Sequence, residues 1–175
     1  MKLLDSKGLL NIIITQNIDG LELLTGIDNS KVIPAHGNLN EAHCPKCNKS
    51  VDLNIMEKHI KEGKVLYCDV CKDVPCKHKV VFYGEDLPNK FVESIDSLKQ
   101  SDLVFIMGTS LRVKPFSQLP YLVDGNCARA VVNMEKVGYF KFDEVSSRDI
   151  FFEGYTDDAV MKIVKYCGWE VRLFY

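Results

Sequence analysis

Short apolar runs alternate along the chain with segments in which apolar residues recur every three or four positions. Three runs predict buried parallel strands, because each is short, rich in Val, Ile or Phe and ends in a polar turn: Asn11–Thr15, Asp102–Met107 and Ala128–Asn133. Val32–Ala35 and Asp149–Glu153 are weaker strand candidates. Helical spacing predicts helices over Asn89–Gln100 and Thr156–Cys167.

Alternation of strands and helices predicts an α/β fold with a parallel sheet. Ligands of such sheets bind beyond the carboxyl ends of the strands. Asn17, Gly108–Ser110 and Asn133 all follow predicted strands. A ligand site is therefore expected at that edge.

The middle of the chain has a different character. Residues 43–79 are rich in Cys and Lys and contain no strong strand pattern. This composition indicates a small module inserted into the α/β domain.

Two Cys-x-x-Cys pairs lie within that module. They are Cys44/Cys47 and, after twenty further residues, Cys68/Cys71. Each pair directs two thiolates at one metal, and this spacing is typical of a structural zinc site. Four thiolates complete a tetrahedron and leave no position for water, which favours a structural role over a catalytic one.

The remaining cysteines leave alternatives open. Cys76 could replace one member of the second pair, and His43 or His78 could also bind the metal. The regular pairing is simpler, so Cys76 is interpreted as a spare thiol. Cys127 and Cys167 have apolar neighbours and are interpreted as small core residues.

Composition and charge narrow the class of protein. The 175 residues are 46% hydrophobic and 26% charged, with a net charge of −2, which is typical of a globular protein without a basic surface for nucleic acid. No apolar run approaches the roughly 18 residues of a membrane span, and Asp5, Lys7 and Gly8 interrupt the apolar start. We expect a cytoplasmic or nuclear protein without a membrane partner, in which thiols stay reduced.

Six elements follow one another along the chain: Thr15–Glu22, Ala35–Gly37, the two cysteine pairs, Val80–Pro88, Gly108–Leu111 and Val132–Glu135. Together and in this order they resemble the sirtuin family of zinc-containing, NAD-dependent protein deacylases. The resemblance implies NAD and zinc as cofactors, and transfer of an acyl group from lysine to ADP-ribose with release of nicotinamide.

The resemblance also implies roles for individual residues in the first part of the chain. His36 would be the catalytic general base, acting on the nicotinamide ribose. Asn17, also catalytic, and Asp19 would line the nicotinamide pocket together with Ile18. Gln16 would contact the ribose.

Other cofactor contacts are implied further along the chain, on phosphate, ribose and adenine. They are Gly108, Thr109, Ser110, Asn133, Glu135, Thr156 and Asp157. The implied partner is an acyl-lysine peptide or protein, with histones among the candidates. It would pair by strand addition with a segment made of Val81, Phe82, Tyr83, Gly84 and Glu85.

Sirtuins begin with a strand and a Gly-Ala-Gly turn, and nothing similar occurs in this sequence. The resemblance therefore implies an incomplete Rossmann-like parallel sheet, without its first strand and Gly-rich loop, carrying an inserted zinc ribbon. Residues 1–42 and 80–175 would form the NAD-binding domain and residues 43–79 the zinc module. Two alternatives stay open: an inactive chain that binds peptides or partners, and an NAD-dependent ADP-ribosyltransferase.

Overall fold

A computed structural model describes residues 1–145 and 147–169. In chain order the helices and strands are α1 (Lys2–Ser6), β1 (Ile13–Thr15), β2 (Val32–Pro34), β3 (Gly37–His43), β4 (Ser50–Val51), α2 (Leu53–Lys61), β5 (Lys77–Val80), α3 (Asn89–Lys99), β6 (Leu103–Met107), β7 (Ala128–Asn133), β8 (Asp149–Glu153) and α4 (Thr156–Tyr166). Among these residues, no helix has the length and apolarity needed to cross a membrane.

The chain forms two compact units. One comprises Ile13–Val92 and is called the cysteine unit; the other comprises Met1–Ile12 with Glu93–Tyr175 and is called the sheet unit. The cysteine pairs thus share a unit with β1 and β2. The predicted domain limits at residues 43 and 79 stay a prediction.

In the cysteine unit, β1 and β2 form a parallel pair in which Thr15 lies opposite Pro34. A separate antiparallel sheet has the order β4-β3-β5. The register of β3 against β5 shifts between Gly37 and Ala42. The module around the cysteines therefore contains strands and a helix that the sequence pattern did not predict.

Helix α2 packs beside this antiparallel sheet. The Asp52 carboxylate accepts a hydrogen bond from the Asn54 amide at 2.7 Å and caps the first turn. Met56 is the buried residue of the helix, whereas Ile55 and Ile60 are about half exposed. The helix thus covers a narrow apolar strip.

The sheet unit contains the parallel sheet β6-β7-β8. Strands β7 and β8 have the predicted bounds, and β6 begins one residue later than predicted. Ile106, Val131 and Val137 form the core of this unit. The α/β fold with parallel strands is therefore confirmed.

A buried ion pair lies at the amino ends of β7 and β8. Arg129 donates to both carboxylate oxygens of Asp149, at 2.6 and 2.7 Å, and to the Pro120 carbonyl at 3.0 Å. The guanidinium carbon also lies 4.8 Å from the centre of the Phe140 ring. Both charged side chains are almost completely enclosed, with 7% and 1% exposure.

Candidate functional site

Two of the predicted site segments begin at the same edge of the β1–β2 pair. The Ala35 amide donates to the Thr15 carbonyl at 2.9 Å, which continues the parallel ladder past the last strand residues. Gln16 follows β1 and His36 follows Ala35, so both leave the carboxyl ends of neighbouring strands. This is the edge at which parallel sheets bind ligands.

The residues after Gln16 form a short polar loop. Asn17 and Asp19 are exposed, and the Ile18 carbonyl accepts the Leu39 amide at 2.9 Å. One carboxylate oxygen of Asp19 accepts a hydrogen bond at 3.1 Å from the amide of Leu21, the first residue of the following 3-10 helix. Asp19 therefore has a structural contact in addition to its predicted role.

Gly37 fixes the backbone directly after His36. Its φ is +74°, and a Cβ atom there would lie 1.8 Å from the Lys79 carbonyl oxygen. The side chain of any other residue would push β3 away from β5. Glycine at position 37 is thus required for close pairing of the two strands.

We expect Gly37→Ala to lower the free energy of unfolding by about 2–3 kcal/mol, since it combines a strained φ with overpacking. Gly63→Ala is the matched control: its φ is +66°, but no atom lies within 4 Å of the added Cβ. That control should lose about 1 kcal/mol. Urea unfolding checks both values, and equal losses would show that the contact with Lys79 is unimportant.

The predicted substrate segment is joined to the histidine. The Val81 amide donates to the His36 carbonyl at 2.9 Å. Strand β5 ends at Val80, and the Glu85 amide donates to the Phe82 carbonyl at 3.0 Å, so Phe82–Glu85 forms a turn and not an extended strand. Pairing with a peptide by strand addition stays a prediction.

A cavity of about 420 Å³ lies beside this turn within the cysteine unit. Its walls are mainly apolar and include Ile18, Leu39, Met56, Val80 and Phe82. A site of this kind suits an apolar chain better than a charged group.

The four paired cysteines come together at one point. One sulfur from each of Cys44, Cys47, Cys68 and Cys71 lies within 4.8 Å of all the others. The Cys47 and Cys68 sulfurs are 3.7 Å apart. Cys76, His43 and His78 do not belong to this cluster.

The two Cys-x-x-Cys turns have the same backbone construction. Asn48 donates its amide to the Cys44 carbonyl at 2.9 Å, and Lys72 donates to the Cys68 carbonyl at 2.8 Å. Asn48 and Lys72 both have positive φ, 58° and 62°. Each turn therefore folds its own two thiols to one side.

The chemistry of the four thiols fits zinc. Burial raises the pKa of Cys44, but backbone amides, first that of Cys47, outweigh burial and lower it to about 7. The Cys47 thiol and burial raise the pKa of Cys71 to about 12. Without a metal ion, the four thiols therefore ionise to different extents. A divalent cation stabilises all four as thiolates.

The sheet unit assembles the other predicted cofactor residues. Gly108, which follows β6, donates to the Val132 carbonyl at 3.1 Å, and Gly154, which follows β8, donates to the Asn133 carbonyl at 3.0 Å. A Cβ on Gly108 would lie 3.7 Å from the Thr156 methyl carbon. Three strand ends and the start of α4 therefore meet.

Within that group, side chains and backbone are already linked. The Asn133 side-chain amide donates to the Glu135 carbonyl at 3.0 Å, and the Leu111 amide donates to the Thr109 hydroxyl at 3.2 Å. Ser110, Glu135 and Asp157 are exposed, as a ligand contact requires. The predicted residues thus occur in two groups, one in each unit.

Comparison with known proteins gives the family. The model of the Sir2 family matches residues 1–115. The chain belongs to the Sir2 family. It is 34% identical to the NAD-dependent protein deacetylase sirtuin-2 of Danio rerio, over 99% of this chain and 50% of that protein. It is 36% identical to the NAD-dependent protein deacetylase hst2 of Schizosaccharomyces pombe, over 99% of this chain and 51% of the relative.

A solved structure agrees with this assignment. It is described as "The Structural basis for Sirtuin Substrate affinity" and matches with a TM-score of 0.82 and 28% identity, over 95% of this chain and 69% of the other. This Sir2 chain spans about half the length of the curated relatives it matches. The sirtuin resemblance and the sirtuin-like fold are confirmed.

Sequence reasoning missed one contact beside the predicted substrate segment. Lys77 at the start of β5 contacts the turn that carries the predicted substrate residues. Its partner Glu85 is eight positions away, and no periodic pattern links two residues at that spacing. Only the turn between them brings the two side chains together.

Proposed function

We propose that this Sir2 protein removes acyl groups from lysine side chains in an NAD-dependent reaction. The observation that carries the proposal is the hydrogen bond from the Val81 amide to the His36 carbonyl. It joins the candidate general base to the candidate substrate segment within one compact unit. The names of the relatives, which are NAD-dependent protein deacetylases, support the same activity.

In this proposal His36 accepts a proton from a ribose hydroxyl of the bound dinucleotide, because a neutral imidazole nitrogen is suited to that transfer. NAD supplies the electrophilic ribose carbon and the nicotinamide leaving group. Asn17 and Asp19 present amide and carboxylate groups that match a carboxamide. Gln16 and Ile18 complete this side of the pocket.

The sheet-unit residues would bind the rest of the dinucleotide. Gly108, Thr109 and Ser110 offer backbone amides and hydroxyls for phosphate or ribose. The Glu135 carboxylate would accept hydrogen bonds from vicinal ribose hydroxyls, beside Asn133. Thr156 and Asp157 at the start of α4 would flank the adenine.

The acyl-lysine would lie against the turn after β5. Phe82 lines the apolar cavity, which suits the acyl group and the lysine methylenes. The exposed amides of Tyr83 and Gly84 would bind the peptide backbone. Proteins of the cytoplasm or nucleus, histones among them, are the proposed substrates.

The activity is tested by nicotinamide release from NAD in the presence of an acetyl-lysine peptide. We expect His36→Ala to lower the rate by about a hundredfold or more, the usual contribution of a general base. His59→Ala is the matched control, since His59 lies on α2 and a nitrogen of its ring lies 2.8 Å from the Ile55 carbonyl oxygen of the same helix. Equal rates for the wild type and His36→Ala would refute the assignment of the base.

A second candidate is a peptide-binding module without turnover. It is favoured by the position of the cavity, the turn and the four cysteines, which all lie in the cysteine unit. Peptide binding without nicotinamide release would select this candidate. Transfer of radiolabel from NAD to protein, without deacylation, would instead select an ADP-ribosyltransferase.

A further inference from the structure

Lys77 makes two contacts with the turn that follows its own strand, β5, and one with the last residue of that strand. Its ammonium donates to the Glu85 carboxylate at 2.6 Å and to the Val80 carbonyl at 2.8 Å. It also lies 4.0 Å from the centre of the Phe82 ring. The Lys77 side chain is 17% exposed and the Glu85 side chain 41%, so the ammonium is largely withdrawn from water while the carboxylate is partly exposed.

Glu85 closes the turn from the other side. The same carboxylate oxygen that binds Lys77 accepts the Phe82 amide at 2.8 Å, and the Glu85 amide donates to the Phe82 carbonyl at 3.0 Å. The hydrogen bond from Lys77 is the main cause that holds the pKa of Glu85 below its usual range, and the Phe82 amide adds to it. His43 contributes a smaller effect in the same direction.

These contacts determine which backbone amides of the turn are available for hydrogen bonds to a ligand. The amides of Val81, Phe82 and Glu85 are all used inside the protein. The amides of Tyr83 and Gly84 make no hydrogen bond with the described residues, and the Tyr83 side chain is 97% exposed. The turn therefore presents one short outward-facing section.

We propose that Lys77 is a positioning residue that, through Glu85, holds the turn at Phe82–Glu85 in the shape that presents Tyr83 and Gly84 to the substrate peptide. The assignment of the peptide to this turn rests on the proposed function. Glu85 then acts within the turn and not as a direct ligand of the peptide.

A neighbouring ion pair shows what an ordinary surface contact looks like on the same strand. Lys79 donates to Glu41 at 2.7 Å, but these two side chains are 41% and 55% exposed. Such pairs contribute little to stability. Lys77 differs from Lys79 in its burial and in its additional contacts with Val80 and Phe82.

The turn itself is tested by amide hydrogen exchange near neutral pH. We expect Lys77→Met to accelerate exchange at the Phe82 amide by about fivefold, the equivalent of one lost hydrogen bond. Lys77→Arg should restore protection, and Lys79→Met should leave it unchanged. Unchanged exchange in Lys77→Met would overturn the proposal, whatever the protein binds.

The role in substrate binding is tested by the affinity for a fluorescent acetyl-lysine peptide and by the kinetics of nicotinamide release. We expect Lys77→Met to weaken binding and raise the peptide KM by about fivefold with kcat nearly unchanged, and Lys77→Arg to recover both. Glu85→Gln should act in the same direction as Lys77→Met. Equal peptide affinity in the wild type, Lys77→Met and Glu85→Gln would overturn the role in binding.

The two assays separate this proposal from the proposed function. If the wild type fails to bind the peptide while Lys77→Met still accelerates exchange at Phe82, the proposed function fails and the role of Lys77 in shaping the turn stands. If the wild type binds the peptide and releases nicotinamide but exchange does not depend on Lys77, the proposed function stands and the positioning role fails. Zinc content and circular dichroism verify that each variant is folded.

Discussion

Removal of metal from the four-cysteine cluster is expected to unfold the cysteine unit. Binding of structural zinc supplies roughly 10–16 kcal/mol, which matches or exceeds the stability of about 5–15 kcal/mol typical of a whole domain. Within residues 42–80, all of which the structure describes, the buried apolar residues are Ala42, Cys44, Met56 and Cys68. The metal must therefore replace a hydrophobic core in this part of the unit.

The measurement is a chelator titration followed by circular dichroism, with elemental analysis of the starting protein. We expect one zinc ion per chain, and loss of both zinc and structure in Cys68→Ser. Cys76→Ser and Cys167→Ser are matched controls that should keep the metal, since neither residue belongs to the cluster. Folded protein without zinc would contradict the assignment.

Removal of one member of the Arg129–Asp149 pair is expected to lower the free energy of unfolding by about 3–5 kcal/mol. Asp149→Asn keeps the shape of the side chain but leaves the guanidinium buried without a counter-charge. Lys136→Met is the control, because the Lys136–Asp143 pair is 54% and 89% exposed and should be worth at most about 1 kcal/mol. Urea unfolding measures both, and similar losses would refute a special role for the buried pair.

The same pair predicts a dependence of stability on pH. Burial raises the pKa of Asp149, but hydrogen bonds from Arg129 and from the Lys141 amide outweigh it, so the pKa lies below its usual value. A carboxyl with a lowered pKa stabilises the fold above about pH 4 and loses that effect as the pH falls through its folded-state pKa. The stability difference between wild type and Asp149→Asn should therefore shrink in acid.

The strands of the sheet unit could be predicted from the sequence because their apolar residues are mostly consecutive, as in strands buried on both faces. Ala128–Asn133 is a largely apolar segment that contains Arg129 and lies between two neighbouring strands, and the structure has the predicted bounds. Strand β3 escaped prediction because only Gly37 and Ala42 are buried, five residues apart across a register shift. That spacing removes the alternation by which strands are recognised.

The four-cysteine cluster could be predicted from the sequence, whereas the contact of Lys77 with Glu85 could not, because only the first has a local sequence signal. The geometry of a Cys-x-x-Cys pair is determined locally, because each pair folds into the same turn. Helix α2 also carried a local signal, with Asp52 as cap and Leu53, Met56 and Ile60 at helical spacing, but it is only nine residues long. The contact between Lys77 and Glu85 depends on a turn whose shape could not be predicted from the sequence.

Strand β3 has one further consequence. It begins next to His36 and ends next to Cys44, so a span of seven residues, or about 23 Å, links the candidate base to the first metal ligand. We expect a preparation that has lost part of its zinc to be a mixture of folded and unfolded molecules, in which the nicotinamide release proposed above falls in proportion to the metal content. Chelating buffers and oxidising storage would thus resemble a slow-acting inhibitor, although they act at the four cysteines and not at His36.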